Sequence, residues 1–253
     1  MNILVTNDDG IFARGIKALV EALSDYGDVY VAAPNSQMSA CGHGITVQDP
    51  VLVKEKEFVG AKKAWAVSGT PADCVKLAES MLVPEKIDIV VSGINRGGNL
   101  GTDVLYSGTV SGAVEGLLLG IPSVAISLNS QSSKDFDPSK KAMKKIFKYI
   151  LENKMDSDTL LNINIPDIKE EEIKGVRITK LGYRKYTEAF QMREDPRGRN
   201  YYWYSGEPVV DKSGDETVDV SAVALGYISI TPIHYDLTNF KILDDIRNWG
   251  IEI

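Results

Sequence analysis

Two adjacent aspartates follow the first apolar run of the chain, in Asn7-Asp8-Asp9-Gly10. Neighbouring side chains inside a strand point to opposite faces. Just past its end, the turn toward Gly10 can bring both carboxylates toward one point. Two unpaired carboxylates held together are costly, and a bound cation removes that cost. Ligation by oxygen alone selects a hard ion such as Mg²⁺ or Mn²⁺. The competing reading is an ordinary Asp-rich turn that caps a helix, and these four residues alone do not separate the two.

Three further segments carry groups suited to an anion beside such an ion. Ser36 to Gly44 supplies hydroxyls, backbone amides and His43, one of two histidines in the chain. A loop histidine is often incidental, but this one sits beyond a strand end. Ser92 to Gly101 is glycine-rich, so its backbone can approach a ligand closely. Its Asn95 and Asn99 can offer carbonyl oxygens to a metal or amides to a phosphate. Tyr106-Ser107-Gly108-Thr109 leads into a helix of small residues, where Ser107 or Thr109 suits the N-cap and the helix N-terminus attracts anions. Each segment is weak evidence alone; together they furnish the parts of metal-assisted phosphoryl hydrolysis.

The elements that position these segments alternate. Ile3-Leu4-Val5 reads as a buried strand, Ile16, Leu19, Val20 and Leu23 recur at helical spacing, and Val29 to Ala33 forms a second strand stopped by Pro34. Trp65 to Val67 is a strand, and Thr70-Pro71 an N-cap with proline at N1 of a helix through Leu82. Ile87 to Val91, Ser123 to Leu128 and Leu161 to Ile165 are strands, with helices at 109–119 and 139–151. Strand–helix–strand units with short returns imply parallel strands and right-handed crossovers. The fold class is therefore α/β, an open and mostly parallel sheet with helices on both faces, and ligands bind beyond the carboxyl ends of such strands. Residues 1–182 form the core. Residues 183–253 form an extension, with an aromatic hairpin arm turning near Asp195-Pro196-Arg197-Gly198, a strand from Tyr227 to Ile230, and a terminal helix from Thr238 through Trp249.

Composition narrows the function classes. A chain of 253 residues with 43% hydrophobic and 25% charged residues can bury a real core. Its net charge of -7 repels long polyanions, so stable nucleic-acid binding is not expected. Two cysteines, Cys41 and Cys74, are too few for a disulfide scaffold and suit free thiols in a reducing cytoplasm. The N-terminus lacks the basic and apolar regions of a signal peptide, and no window approaches ~18 apolar residues, so neither export nor a membrane span is expected.

NDDG at 7–10, PNSQMSACGHGIT at 34–46, SGTPADCV at 68–75, SGINRGGNLGTDVLYSGTVSGA at 92–113 and ITP at 230–232 resemble, in order and over most of the chain, the survival protein E (SurE) nucleotidases. The resemblance implies a Rossmann-like core and an acid-phosphatase-like phosphoric monoester hydrolase. The expected reaction is hydrolysis of nucleoside 5′- and 3′-monophosphates, with short polyphosphate as a further substrate. It implies one divalent ion per subunit, Mg²⁺ or Mn²⁺, on Asp8, Asp9, Ser39 and Asn95. It places the substrate phosphate near Asn99, Ser107, Gly108 and Thr109, and implies a homodimer or homotetramer built through C-terminal arms. In one departure, an Arg often found after Pro34 is replaced by Asn35-Ser36-Gln37.

Asp8 or Asp9 is the expected catalytic group, orienting a water or taking its proton. A Ser–His–Asp triad is not evident. An aspartyl-phosphate route usually shows two Asp separated by one residue, whereas these adjoin. A nicotinamide oxidoreductase needs G-x-G-x-x-G after the first strand, where this chain has acids. A non-catalytic nucleotide sensor remains as the third reading, and phosphate release from AMP separates it.

Overall fold

The computed structural model describes residues 1–251 apart from 154, 157, 185, 188, 189 and 210–213. Strand β1 (Asn2–Thr6) lies between β2 (Asp28–Pro34) and β5 (Ile89–Arg96), parallel to both. Outward from β2 come β4 (Lys63–Val67), parallel, and then β3 (Val53–Lys56), antiparallel at the edge. Outward from β5 come β6 (Ser123–Asn129) and β7 (Leu160–Pro166), both parallel. The sheet ends on β13 (Ile228–Ile233), antiparallel to β7 and parallel to the short β8 (Val176–Ile178). The segment after residue 183 thus returns to the sheet through β13.

The order β3-β4-β2-β1-β5-β6-β7-β13-β8 reverses direction at the β1/β5 pair. Successive connections leave that pair to opposite sides, which opens a crevice beyond the carboxyl ends of β1 and β5. Asp8 and Asp9 follow β1, and Asn95 lies at the end of β5.

Two helices cover each face because the central strands are apolar on both sides. Ile3 and Val5 of β1 pack with Ile16, Leu19 and Leu23 of α1 (Arg14–Leu23) and with Met143 and Phe147 of α4 (Asp137–Glu152). Leu4 points the other way and packs with Tyr30, Trp65, Cys74 and Val75, the last two from α2 (Pro71–Leu77). Beside α2 lies α3 (Gly108–Leu118), whose Val110, Ala113 and Leu117 cover Ala125 and Leu160. Thr70 caps α2 as its sequence predicts, in a reciprocal box with Asp73. A single turn of π-helix, Ala78–Leu82, continues it. α5 (Asp219–Ala224) packs against β7 and β13.

The hairpin forms where the sequence predicts it. β10 (Phe190–Glu194) and β11 (Asn200–Tyr204) pair antiparallel around the turn at 195–199. Below it, β9 (Tyr186–Thr187) pairs with β12 (Glu207–Pro208). Positions 185, 188, 189 and 210 of the expected arm lie outside the described residues. The terminal helix is shorter than its spacing predicts. Residues 238–249 hold a 3-10 turn, Phe240–Ile242, and α6 (Leu243–Arg247). Phe240 and Trp249 stay exposed, and a helix this short has no intrinsic stability without a surface to bury its apolar side. Among the described residues no helix is long and apolar enough to cross a membrane.

Candidate active site

Hydrogen bonds tie three segments to the two aspartates at the sheet's crevice. Asp8, 4% exposed, accepts the Thr109 hydroxyl at 2.5 Å, which fixes it against the first turn of α3. Its backbone carbonyl accepts Met38 N–H at 2.7 Å, and this draws in the loop after β2. Asp9 accepts Arg96 N–H at 3.2 Å from the end of β5 and, more weakly, Gln37 Nε2 at 3.5 Å. Gln37 Nε2 also donates to Ser39 Oγ at 2.8 Å. The Asn95 side chain donates to Gly97 O at 2.7 Å, so its amide is turned with Nδ2 engaged and Oδ1 left as an acceptor.

Asp8 is the electrostatic centre of this arrangement. Burial, and secondarily the neighbouring Asp9 charge, push its carboxyl up from 3.8 to about 6, against the Thr109 hydrogen bond. Burial likewise raises Asp9, opposed by Arg96. Among the described residues neither aspartate has an ion-pair partner. Gly108 abuts Asp8 so closely that a Cβ there would lie 2.7 Å from Asp8 Cβ and 3.0 Å from Cys41 Sγ. Only glycine lets the α3 N-terminus come this near. The donor set of Asp8, Asp9, Ser39 and Asn95 is entirely oxygen, charged -2 and short of a cation, which fits a hard divalent ion. Among the described residues no cluster of three His, Cys, Asp or Glu side chains stands elsewhere as a rival metal centre.

Other predicted residues have structural partners. Ser107 Oγ accepts Val110 N–H at 3.0 Å as the N-cap of α3. Asn99 is buried, donating to Ser127 Oγ at 2.8 Å, while its backbone accepts Asn162 and Asn164 Nδ2 at 2.8 and 3.0 Å and donates to Asn164 Oδ1. His43 Nε2 lies 2.9 Å from Glu115 Oε2, seven residues along α3 from Gly108, a rise of roughly 10 Å. Lys76 holds the other oxygen of Glu115 at 3.1 Å. The imidazole therefore anchors its loop to the flank of α3, and the loop is pinned further by Thr46 to Asp73 and Thr70 to Gly44 O.

Sequence reasoning passed over the support of the loop that carries Asn95 and Asn99. Asp219, fully buried, accepts Gly101 N–H at 2.7 Å, Gly182 N–H at 2.8 Å and Val220 N–H at 2.7 Å. Asp103 accepts Arg184 Nη1 at 2.9 Å and the Tyr186 hydroxyl, and Arg184 also reaches Gly98 O. Asn162 and Asn164, two apart in a strand and hence on one face, were the available signal. A larger cavity of about 570 Å³ lies between α4 and β13. Its lining is apolar apart from Lys145 and Glu170, which pair with each other at 3.0 Å, so it offers no comparable chemistry.

The fold and this arrangement define a class: a doubly wound α/β protein whose switch-point crevice is furnished with carboxylates, hydroxyls and a helix N-terminus. The family model of Survival protein SurE matches residues 3–188. A 5′-nucleotidase SurE of Syntrophomonas wolfei is 51% identical over 98% of this chain and 94% of its own length, and that of Heliobacterium modesticaldum is 49% identical over 98% and 92%. The crystal structure of the SurE protein from Aquifex aeolicus superposes with a TM-score of 0.85 at 42% identity, covering 98% of this chain and 99% of that one. The chain belongs to the SurE family.

Proposed function

We propose that this chain is a metal-dependent nucleotidase, an acid-phosphatase-like phosphomonoesterase that hydrolyses nucleoside 5′- and 3′-monophosphates and, as a further substrate, short polyphosphate. The observation that carries the reading is the pair Asp8, buried, and Asp9, half-buried, at the β1/β5 switch point against the N-terminus of α3, with no ion pair to either among the described residues. The relatives named 5′-nucleotidase support it. Asp8, Asp9, Ser39 and Asn95 would hold one divalent ion, Mg²⁺ or Mn²⁺, which when bound supplies positive charge to the phosphoryl oxygens. Asp9, the more exposed aspartate, is the group to orient the attacking water and take its proton. Thr109 holds Asp8 in place, and the positive N-terminal end of α3 draws the phosphoryl oxygens toward it. The enzyme works in the cytoplasm, the compartment that two free thiols suit.

Release of phosphate from AMP, assayed with and without EDTA, tests the reading. Chelation abolishes turnover and added Mn²⁺ or Mg²⁺ restores it; full turnover in metal-free buffer would discard the metal. Inorganic phosphate inhibits competitively, and a purely noncompetitive pattern would separate its site from the substrate's.

The arm holds subunits together in a homodimer or homotetramer. Phe190 is 66% exposed, Trp203 59% and Tyr204 65%, so the arm's own chain leaves these rings uncovered. An isolated two-stranded hairpin is marginal in water, and a partner subunit supplies the missing surface. Because Arg184 and Tyr186 grip Asp103, the replacement that tests this is confined to residues 190–204. With a Gly-Ser turn there, light scattering reports a smaller assembly while Mn²⁺ still binds. An unchanged assembly, or a monomeric wild type, removes the arm as the main contact.

A further inference from the structure

A polar cavity adjoins Asp9. It encloses about 360 Å³ between the start of α1, the end of β5 and the loop before α4. Asp9 forms one wall, and Arg14, Arg96 and Lys134 bring three positive charges against that single carboxylate. On a chain of net charge -7 this is a local reversal of sign. Among the described residues Arg14 and Lys134 form no ion pair. Arg96 spends its backbone N–H on Asp9, and its side chain lines the cavity. Helix α1 adds to this polarity: it begins at the cavity wall, has no side-chain cap and has no acidic residue in its first turn. Phe12 stands at the same cavity, 65% exposed, with no aromatic partner among the described residues and with Lys56 Nζ 5.7 Å from its ring centroid.

A leaving group that is a neutral nucleoside would use the ring and leave the three cations with no anion but Asp9. A phosphoryl group carries close to two negative charges at neutral pH and accepts several hydrogen bonds, the complement of Arg14, Arg96 and Lys134. We propose that this cavity binds the part of the substrate that is not cleaved, and that this part carries a second phosphoryl group: the preferred substrate class is a nucleoside bisphosphate, phosphorylated at both ends of its ribose. This rests on the nucleotidase reading of the same site. The phosphoryl group at Asp8 and Asp9 is transferred to water as its ester P–O bond breaks. The ribose oxygen leaves with a proton, and the products are inorganic phosphate and a nucleoside monophosphate. The retained phosphoryl group stays on the cations while the base lies over Phe12.

The test compares kcat/KM for adenosine 3′,5′-bisphosphate and adenosine 5′-monophosphate, with saturating Mn²⁺, in the wild type, Arg14→Ala, Lys134→Ala and Arg14→Lys. The wild type favours the bisphosphate by about tenfold or more, the scale of one charge-assisted contact. Arg14→Ala and Lys134→Ala each lower the bisphosphate-to-monophosphate ratio by about tenfold, and Arg14→Lys restores part of it. Circular dichroism confirms that each variant is folded, as expected at exposed positions. A wild type that hydrolyses both esters alike, or alanine variants that leave the ratio unchanged, overturns this proposal alone. A wild type that hydrolyses neither overturns the nucleotidase reading and this proposal with it.

Discussion

Asp8→Asn loses turnover and gains metal-free stability at once. The rate falls by about 10² or more, the scale for removing one key electrostatic group. Stability moves the other way because the folded carboxyl titrates at about 6 and the unfolded one near 3.8. Between those values the folded chain retains a proton that the unfolded chain has lost, so metal-free stability falls as pH rises from about 4 to about 6. The loss is roughly 3 kcal/mol, a shift of about two units at 1.36 kcal/mol each. Asparagine does not ionise, so the variant lacks this slope and is the more stable protein above pH 6. Urea melts in EDTA at pH 4, 5, 6 and 7 read both curves. A variant as pH-sensitive as the wild type, or one that keeps near-normal turnover at saturating Mn²⁺, removes Asp8 from the site. Asp9→Asn tests the partner carboxylate in the same assays.

Gly15→Ala is expected to be the most damaging single methyl group in the chain. Helix propensity favours alanine by up to about 1 kcal/mol. Packing opposes it, because the new Cβ would lie 1.9 Å from Ile94 O and 3.2 Å from a Phe136 ring carbon. The obstacle at Ile94 is backbone inside β5, which cannot step aside as a flexible side chain can. The steric cost is about 3 kcal/mol or more, so it outweighs propensity. Asn95 follows Ile94 directly, so activity falls with stability. Guanidinium denaturation measures the loss, and a variant within about 1 kcal/mol of the wild type would show that the helix rides clear of the strand.

The central part of the fold was legible because its signals are local. Apolar runs ended by Pro34 and Pro166, the Thr70-Pro71 cap, and the helical spacing of Ile16, Leu19 and Leu23 all mark elements without knowledge of what packs on them. The short pieces were not. Val53–Lys56 and Val176–Ile178 are edge strands made of exposed or mixed residues, and their existence depends on a neighbour's free edge. β5 was expected to stop at Val91 and runs to Arg96, because Asn95 and Arg96 pair again with Ser127 and Leu128 of β6 beyond an irregularity after Ser92. The terminal helix was expected to be longer because its periodicity is real; the surface it needs is not provided within the described chain. At the site, Asp8, Asp9 and Thr109 converge because strand order brings their loops to one crevice. The partners of Asn99 and Gly101 come from residues 28 to 118 positions later, beyond the reach of any local pattern.

The Asp219 contact also bears on how the chain is made. All the proposed metal ligands and the contacts to the cleaved phosphoryl group lie between residues 8 and 109, and leave the ribosome early. The carboxylate that accepts Gly101 N–H emerges more than a hundred residues later. Until then the loop bearing Asn95 and Asn99 has no anchor on that side, and Asn162 and Asn164 are also missing for part of the interval. A nascent chain therefore carries the proposed ligands without the scaffold that orders them. On the proposed site, an amino-terminal fragment ending before residue 219 is expected to be silent, and hydrolysis to begin only when synthesis is nearly complete.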